Sequence, residues 1–285
     1  MSKLINYLKK IRECDKISVE NNADTAIYGG HSEMEKVINV TIWNEFRHEK
    51  TVDEVKALYP DGIHAYLKGV LECDEVKITL AALDDGPEHG LTDDVLNNTD
   101  VLMWWAHMAH HEVSDAIVEK VRERVYMGMG LIVMHSGHYS KVFQRVVGTT
   151  GNLLWGANVK EIVWNINPTH PIAEGIPSHF KLDAEEIYSE PFQIPQPEEL
   201  VFSGWYETGY VFRSGCCWTR GFGKVFYFQP GHETVPTYHN KHVQRILANA
   251  IRWAAPKETG FQKINYAPCV GDQFVSDDEL DFFKK

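Results

Sequence analysis

The stretch Gly130–Ser140 reads GLIVMHSGHYS, and it decides both the fold and the place of the chemistry. An apolar strand, LIVM, ends directly at His135, and a helical pattern follows it. A serine on such a turn suggests a nucleophile elbow, which needs small residues two positions before and two positions after the nucleophile. Counted from Ser136, those positions hold Met134 and His138. We therefore predict that Ser136 binds a ligand at the helix start and that the histidines carry the chemistry.

Upstream of this stretch, short strands that are apolar on both faces alternate with helices. This pattern predicts a parallel sheet with helices on both of its faces. The right-handed crossover rule then suggests a central position for the first strand. Thr51 begins a Thr-Val-Asp-Glu pattern that is typical of a capping box at a helix start. The predicted strands are Ile38–Trp43, Val76–Leu83, Asp100–Trp105 and Gly130–Met134, and the predicted helices include Gly62–Leu71 and Ser114–Met127.

After about residue 148 the sequence changes to closely spaced aromatic and β-branched segments. Examples are KEIVWNI, LVFSGWYE, YVFRSGCCW and KVFYFQP, which predict strands that extend the sheet, partly in antiparallel fashion. The amphipathic segment Asn240–Ala254 predicts a helix that packs back on the sheet. We predict an N-terminal helical extension over residues 1–35, one α/β domain over residues 36–256 and a C-terminal tail over residues 257–285.

The composition argues against several classes of function. The chain has 285 residues and a formal net charge of −12 without a basic run, so we expect no nucleic-acid partner. Its five cysteines are scattered and include no CxxC pair, which is typical of a reduced, cytoplasmic protein. No apolar stretch approaches the roughly 20 residues of a membrane span, and the first residues lack the apolar run of a signal peptide. We expect a cytoplasmic protein with a small-molecule partner and no membrane contact.

Histidines follow three of the four predicted parallel strands. NEFRHE, with Arg47 and His48, follows the first strand, WWAHMAHH follows the third, and HSGH follows the fourth. Ligands bind beyond the carboxyl ends of the strands in open parallel sheets, so we expect these histidines to lie on one rim. His107 and His111 are four residues apart and would share a helix face, as in some zinc sites. The glutamate of the HExxH motif is missing between them, so this signal is weak.

The order of several motifs resembles the trehalose-utilisation, or ThuA-like, family. The motifs are NEFRHE, HSGH, THPIAEGIP (Thr169–Pro177), EEIY (Glu185–Tyr188) and FGKVFYFQPGHE (Phe222–Glu233), and the resemblance covers roughly residues 38–255. It implies the flavodoxin-like three-layer α/β sandwich of class I glutamine amidotransferases, with a mainly parallel central sheet and added strands from the C-terminal half. Those enzymes carry a cysteine at the elbow and a late His-x-Glu pair. This chain has no cysteine at the elbow, and His232 and Glu233 are adjacent, so we expect no amidotransferase activity.

The resemblance also implies a set of site residues. It gives His48, His135, Glu186 and His232 as the expected catalytic residues and Tyr188 as a substrate-binding neighbour. The residues themselves add Trp104, at the end of the third strand, and Ser136, at the helix start, as expected substrate-binding residues. Imidazoles and a carboxylate suit general acid/base catalysis near neutral pH. His48, His135 and His232 also suit a divalent metal such as zinc with an open water position. We expect no nucleotide cofactor.

Two functional hypotheses remain open from the sequence. The first is an enzyme of trehalose, disaccharide or keto-sugar utilisation, acting by hydrolysis, elimination or isomerisation. The second is a non-catalytic sugar-binding or regulatory module on an amidotransferase-like scaffold, because a fold does not by itself imply an activity. In both cases the partner is a small carbohydrate. Self-association into a homo-oligomer is a further expectation that the sequence leaves open.

Overall fold

Five parallel strands form the half of the sheet that carries the histidine-bearing loops. The computed structural model describes residues 37–256, in which nine strands form one sheet of order β2-β1-β3-β4-β9-β8-β7-β5-β6. Strands β2, β1, β3, β4 and β9 are mutually parallel, in register from Ile38 opposite Val76 to Met134 opposite Phe228. Their bounds are β1 Ile38–Asn44, β2 Val76–Ala82, β3 Val101–Trp105, β4 Gly130–Met134 and β9 Gly223–Phe228.

The other four strands extend the sheet in antiparallel fashion from β9. They are β5 Leu154–Asn165, β6 His179–Ser189, β7 Glu199–Tyr206 and β8 Val211–Arg220. Strand β8 pairs with β9 and β7, and β5 lies between β7 and β6. The aromatic, β-branched texture of this half suits a pleated sheet with one buried face. The predicted extension of a mainly parallel sheet by antiparallel strands is thus present.

Helices pack on both faces of the parallel half. The helices are α1 His48–Thr51, α2 Asp53–Leu58, α3 Ile63–Leu71, α4 Asp93–Asn97, α5 Asp115–Tyr126, α6 Lys141–Val147 and α7 Lys241–Ala254. Apolar side chains of α2, α3 and α7 form one buried cluster with one face of the sheet, and those of α4, α5 and α6 form a second cluster with the other face. Asn240 caps α7, since its side chain accepts hydrogen bonds from the N–H groups of His242 and Val243. Among residues 37–256, no helix has the length and apolarity to cross a membrane.

Two details of the sequence prediction were wrong. Strand β1 is not central, because it lies second from the edge beside β2, and the later strands all add on the far side of β4. The capping box at Thr51 does not form, because its hydroxyl donates to the carbonyl of Arg47 and the residue before α2 is Val52. The extension predicted for residues 1–35 and the tail predicted for residues 257–285 lie outside the described residues.

Candidate functional site

A cavity opens at the rim formed by the carboxyl ends of the parallel strands, as expected for an open α/β sheet. The loops that leave this rim carry His48 after β1, His107 after β3, His135 after β4 and His232 after β9. The cavity has a volume of about 650 Å³. It is lined by His107, His110, Ser136, His138, Tyr139, Asn152, Leu153, Trp155, Glu186, Tyr188 and His232.

His135 occupies the turn between β4 and the helical segment that follows it. Its φ angle is +48°, in the left-handed region that residues other than glycine rarely adopt. The Nδ1–H group donates to the carbonyl of Gln229 at 2.9 Å, which leaves Nε2 facing the site. That nitrogen lies 3.2 Å from Oε2 of Glu186 and 3.4 Å from the hydroxyl of Tyr188. The elbow of this fold is therefore occupied by a fully buried imidazole whose orientation is fixed from behind.

Glu233 joins two imidazoles through a single carboxylate oxygen. Nδ1 of His48 donates to Oε1 of Glu233 at 2.7 Å, and Nδ1 of His107 lies 3.2 Å from the same oxygen. The two Nδ1 atoms are 3.3 Å apart. A carboxylate that holds Nδ1 of a histidine fixes the ring and leaves Nε2 for chemistry, as in catalytic triads. His107 lines the cavity, whereas His48 is not among the described residues that line it and contacts Glu233 instead.

Glu45 holds the loop that carries His107. Its carboxylate is 1% exposed and accepts the backbone N–H groups of His107, Met108 and Ala109 at 2.9, 3.0 and 2.8 Å. A carboxylate that accepts several N–H groups compensates its own burial. The position of His107 therefore depends on a carboxylate from the loop after β1.

Glu185 does the same for the turn that carries His232 and Glu233. This fully buried carboxylate accepts the backbone N–H groups of Gly231 and His232 at 2.9 and 3.1 Å. It also accepts the hydroxyl of Thr237 at 2.6 Å. Neighbouring Glu186 points to His135 and the cavity, so the two adjacent glutamates have different tasks.

The hydrogen bonds of His232 define which of its nitrogens carries the proton in the neutral ring. The backbone N–H of Thr234 points at Nδ1 from 3.2 Å, and a backbone N–H can only donate. The hydroxyl of Thr234 also lies 2.7 Å from Nδ1. Nδ1 is therefore the acceptor, and Nε2–H is the donor that the neutral ring offers to a ligand.

The site histidines and glutamates, which we call the cluster, are His48, His107, His135, Glu186, His232 and Glu233. Burial and neighbouring charges raise the pKa values of some of these groups and lower those of others. The hydrogen bond with Glu233 raises the pKa of His48. Burial alone would raise the pKa of Glu233, but the hydrogen bond from His48 and the neighbouring imidazoles lower it to about 2. Burial would lower the pKa of His135, but nearby carboxylates raise it overall. Burial lowers the pKa of His107, and it lowers that of His232 to about 4. Groups with divergent pKa values in a cleft are typical of sites that transfer protons.

Trp104, the expected aromatic platform, does not line the cavity, whereas another tryptophan does. Trp104 is 0% exposed and stacks on Trp43 with ring centroids 3.8 Å apart, so its ring offers no surface to a sugar. Trp155, at the start of β5, is 74% exposed and lines the cavity. Its place in an antiparallel strand of the second half gave no local signal, because only the tertiary fold brings β5 beside the rim.

Ser136 and Tyr188 both line the cavity. The hydroxyl of Ser136 donates to the carbonyl of Ala106 at 2.9 Å, which ties the turn after β4 to the loop after β3. The ring of Tyr188 stacks on His135 at 4.9 Å with an interplanar angle of 15°. Tyr188 thus covers the elbow imidazole from the cavity side.

The wall away from the cluster is polar and without a positive charge. Burial lowers the pKa of His110 to about 4 and that of His138 to about 3, so both rings are neutral at neutral pH. His138 donates from Nδ1 to the carbonyl of Gly151 at 2.7 Å. Among residues 37–256, no Lys or Arg lines the cavity. Neutral imidazoles, Asn152 and an exposed indole are groups that suit hydroxyls and the faces of a sugar ring.

The metal-ligand trio expected from the sequence does not converge. Within residues 37–256, three groups bring ligand atoms within 4.8 Å of one another, and none of them joins His48, His135 and His232. The groups are His48 with His107 and Glu233, His107 with Glu186 and His232, and His135 with His232 and Glu233. Each group contains His107 or Glu233, neither of which belonged to the expected trio.

The prediction that His107 and His111 share one face of a helix is also wrong. The segment after β3 makes only a short turn of 3₁₀ helix, His110–Glu112, and His107 precedes it. His107 therefore contacts His48 and Glu233, which lie far away in the sequence. The signal that could have found these residues was present in the strand-end motif WWAHMAHH and in the adjacent His and Glu of GHE.

Comparisons with known proteins agree with this fold. A ThuA-like protein from Parabacteroides merdae ATCC 43184 is similar with a TM-score of 0.59 and 13% identity, over 79% of this chain and 93% of that one. A ThuA-like protein from Bacteroides uniformis ATCC 8492 has a TM-score of 0.53 and 16% identity, over 81% and 95%. A cytoplasmic protein from Salmonella typhimurium LT2 has a TM-score of 0.52 and 12% identity, over 76% and 100%. At these identities the likeness shows the fold alone. No curated protein sequence matches this chain.

The family and fold class that the sequence predicted are confirmed. The α/β class with a large mixed sheet is shared with the solved ThuA-like proteins. The family model named ThuA and described as trehalose utilisation matches residues 39–254, which is most of the chain and includes every side chain of the cluster. The chain therefore belongs to the ThuA family of trehalose utilisation.

Proposed function

We propose that this chain is an enzyme that acts on a neutral disaccharide or keto-sugar by general acid/base catalysis. The observation that carries the proposal is the floor of the cavity, where His107, Glu186 and His232 bring ligand atoms within 4.8 Å of one another. The exposed ring of Trp155 belongs to the same cavity and gives a face on which a sugar can stack. Proton-transfer groups beside such a ring support an elimination or isomerisation of the sugar.

Each cluster residue has a role that follows from its partners. His107 is the general base, because Glu233 holds its Nδ1 and burial keeps the ring neutral and ready to accept a proton. His135 and Glu186 form the pair that returns a proton, since their atoms lie 3.2 Å apart and the pKa of His135 is raised. His232 donates from Nε2 to an oxygen of the substrate. His48 positions Glu233 and so acts through it.

A divalent metal such as zinc is a second way in which the same cluster could work. His48, His107 and Glu233 fit it, because Nδ1 of His107 lies 3.2 Å from Oε1 of Glu233 and 3.3 Å from Nδ1 of His48, which matches the roughly 3.3 Å between ligand atoms around a tetrahedral zinc. The ion would replace the 2.7 Å hydrogen bond between His48 and Glu233. Oε2 of buried Glu233 has no hydrogen-bond partner among the described residues, which leaves a lone pair for such an ion. A bound zinc would polarise a sugar carbonyl or lower the pKa of a bound water.

The test is turnover of trehalose and keto-disaccharides by the full chain, followed by NMR. His107→Ala and Glu186→Gln should each lower kcat by about 10²-fold or more, the usual size of an acid/base contribution. Trp155→Ala should raise KM and change kcat little. Under metal catalysis, His48→Ala also lowers zinc content and a chelator inactivates the wild type. Under metal-free catalysis, activity survives the chelator.

Sugar binding without turnover would instead support the non-catalytic module. That hypothesis predicts that Trp155→Ala and His107→Ala alter sugar binding alone, because both side chains line the cavity and there is no turnover to lose. If neither binding nor turnover of any neutral sugar is found, the proposed carbohydrate function is wrong.

We further propose a cytoplasmic location. The similar Salmonella protein is described as cytoplasmic, and the free thiols of Cys73, Cys216 and Cys217 suit a reducing compartment.

A further inference from the structure

One face of the antiparallel half of the sheet is exposed to solvent within residues 37–256. The inward side chains of these strands, such as Val163, Phe180 and Phe202, belong to the apolar cluster that includes α7. The side chains that alternate with them point the other way. We call this surface the outer face, and it consists of Ile162, Trp164, His179, Lys181, Ser203, Trp205 and Val211.

The strand register shows that the outer face is continuous. Trp164 lies opposite His179 on β6 and Ser203 on β7. In the neighbouring row, Ile162 lies opposite Lys181 and Trp205, and Trp205 lies opposite Val211. Directly opposite residues of an antiparallel pair share a face, so both rows form one patch across four strands.

This patch is unusually apolar for a surface exposed to water. Trp164 is 38% exposed, Trp205 is 48% exposed and Val211 is 53% exposed. Aromatic residues, and tryptophan above all, are enriched in protein interfaces and carry much of their binding energy. Contiguous exposed apolar residues of this kind mark an interaction site more often than isolated ones do.

The charges and the shape around the patch favour a second copy of the same chain. Lys160 and Lys181 stand beside Asp183 and Glu207, and a hollow of about 220 Å³ lies between these side chains and Trp205. A contact with twofold symmetry joins a patch to a copy of itself, so a patch region with both signs of charge, and with a projecting ring beside a hollow, can be self-complementary. The outer face offers all of these. A partner of one dominant charge would not need such a balance.

We propose that the outer face is the contact surface of a homodimer of this protein. The contact runs through the face of the sheet, because Lys181 on edge strand β6 disfavours pairing of strand edges. The cavity that holds the histidines is a separate site, since none of the seven outer-face residues is among its described lining residues. The dimer proposal therefore does not depend on the proposed function.

The test measures the mass of the full chain in solution by light scattering and its dimer Kd by analytical ultracentrifugation. We expect a dimer for the wild type. Trp205→Glu should raise the dimer Kd at least about 30-fold, the size of an interface hot spot, because each copy loses an anchor and gains a buried charge. Phe222→Glu is the matched control, since Phe222 is 52% exposed in the turn between β8 and β9, outside the outer face. It should leave the dimer intact.

A second variant guards against loss of folding. Ser203→Lys places a charge in the middle of the outer face without removing an aromatic ring, and it should also give a monomer with an unchanged circular dichroism spectrum. A monomeric wild type would overturn the proposal. A dimer that Trp205→Glu and Ser203→Lys leave as tight as the wild type would overturn it as well, because the contact would then lie elsewhere.

Discussion

Oε1 of Glu233 faces two imidazoles, and this sharing sets the properties of both. The short contact with His48 gives that ring a negative partner and raises its pKa. The contact with His107 fixes the ring that lines the cavity. A single carboxylate thus controls the protonation of one histidine and the orientation of another. When a residue that only orients a functional histidine is removed, activity commonly falls about 10- to 100-fold.

Glu233→Gln should therefore uncouple the two histidines. The glutamine is neutral, so the pKa of His48 should fall toward the reference value of about 6.5, and activity on the sugar should drop by about 10²-fold. NMR titration of the imidazoles, on protein treated with a chelator, measures the first effect. Glu207→Gln, at the hollow beside the outer face and away from the cavity, is the control and should change neither quantity. An unshifted His48 pKa in Glu233→Gln would mean that the carboxylate does not govern this ring.

Ser136→Ala should keep activity within about threefold of the wild type. Its hydroxyl donates to the carbonyl of Ala106 and is not placed to attack a substrate. The loss of this hydrogen bond should cost about 1 kcal/mol of unfolding free energy, which denaturant titration can measure. A large loss of activity, together with a covalent adduct on the wild-type serine in mass spectrometry, would restore the nucleophile hypothesis.

At the scale of elements, the turn Gly231–Glu233 contains no helix or strand and is held by side chains from elsewhere. It follows β9 and precedes a short 3₁₀ segment, Thr237–His239, and Glu185 on β6 holds both through their N–H and hydroxyl groups. Strand β6 lies at the far edge of the sheet in strand order. Its carboxyl-terminal half nevertheless reaches the rim, where the carboxylate of Glu185 accepts the N–H groups of Gly231 and His232.

Glu185→Gln should destabilise this turn and misplace His232. An amide has one acceptor oxygen where the carboxylate has two, so at least one buried donor loses its partner at a cost of about 1–3 kcal/mol. Denaturant unfolding should show this loss, and kcat should fall while KM for the sugar changes little. Glu174→Gln is the matched control, because Glu174 is exposed and pairs with Arg245 at 3.9 Å. Equal stabilities of the two variants would contradict the anchoring role.

For the whole molecule, buried histidines set the response to pH. Burial lowers the pKa of His110 and His232 to about 4 and that of His138 to about 3. In the unfolded chain these histidines have a pKa of about 6.5. Below that pH the unfolded chain binds protons at these rings and the folded protein does not, so the free energy of unfolding falls as the pH falls. His48 and His135 have raised pKa values, so their contribution is full below about 6.5 and is lost as pH rises through their folded pKa values.

We therefore expect the unfolding free energy to be greatest near pH 6.5 and to fall on both sides. Each histidine that stays neutral in the fold contributes a slope of up to about 1.4 kcal/mol per pH unit between pH 6 and its folded pKa. Denaturant unfolding from pH 4.5 to 8 measures the curve. His138→Gln should make the unfolding free energy fall less steeply below pH 6.5, because it removes one histidine that is protonated in the unfolded chain but not in the folded protein. Equal stability at pH 5 and pH 6.5 would show that these rings titrate normally.

How much of this could be read from the sequence depends on whether the signal was local. Apolar runs such as LIVM before His135 and the amphipathic Asn240–Ala254 predicted strands and a helix that are present within a few residues of their predicted bounds. Thr51 shows the limit of a local pattern, because a nearer acceptor, the carbonyl of Arg47, took its hydroxyl. Trp104 shows another limit. From the sequence, an aromatic residue at a strand end can equally be a buried core residue or an exposed ring that stacks on a sugar, and only the packing decides between the two.

The sequence by itself determined the fold class, the family and the rim at which the histidines gather. These follow from strand periodicity, from motif order and from the rule that parallel strands end on one edge. Only the tertiary structure decided which side chains form the site. The contacts of Glu233 with His48 and His107 cross 185 and 126 positions of the chain. Contacts over such separations depend on how strands are ordered and loops are anchored, and no local pattern encodes either.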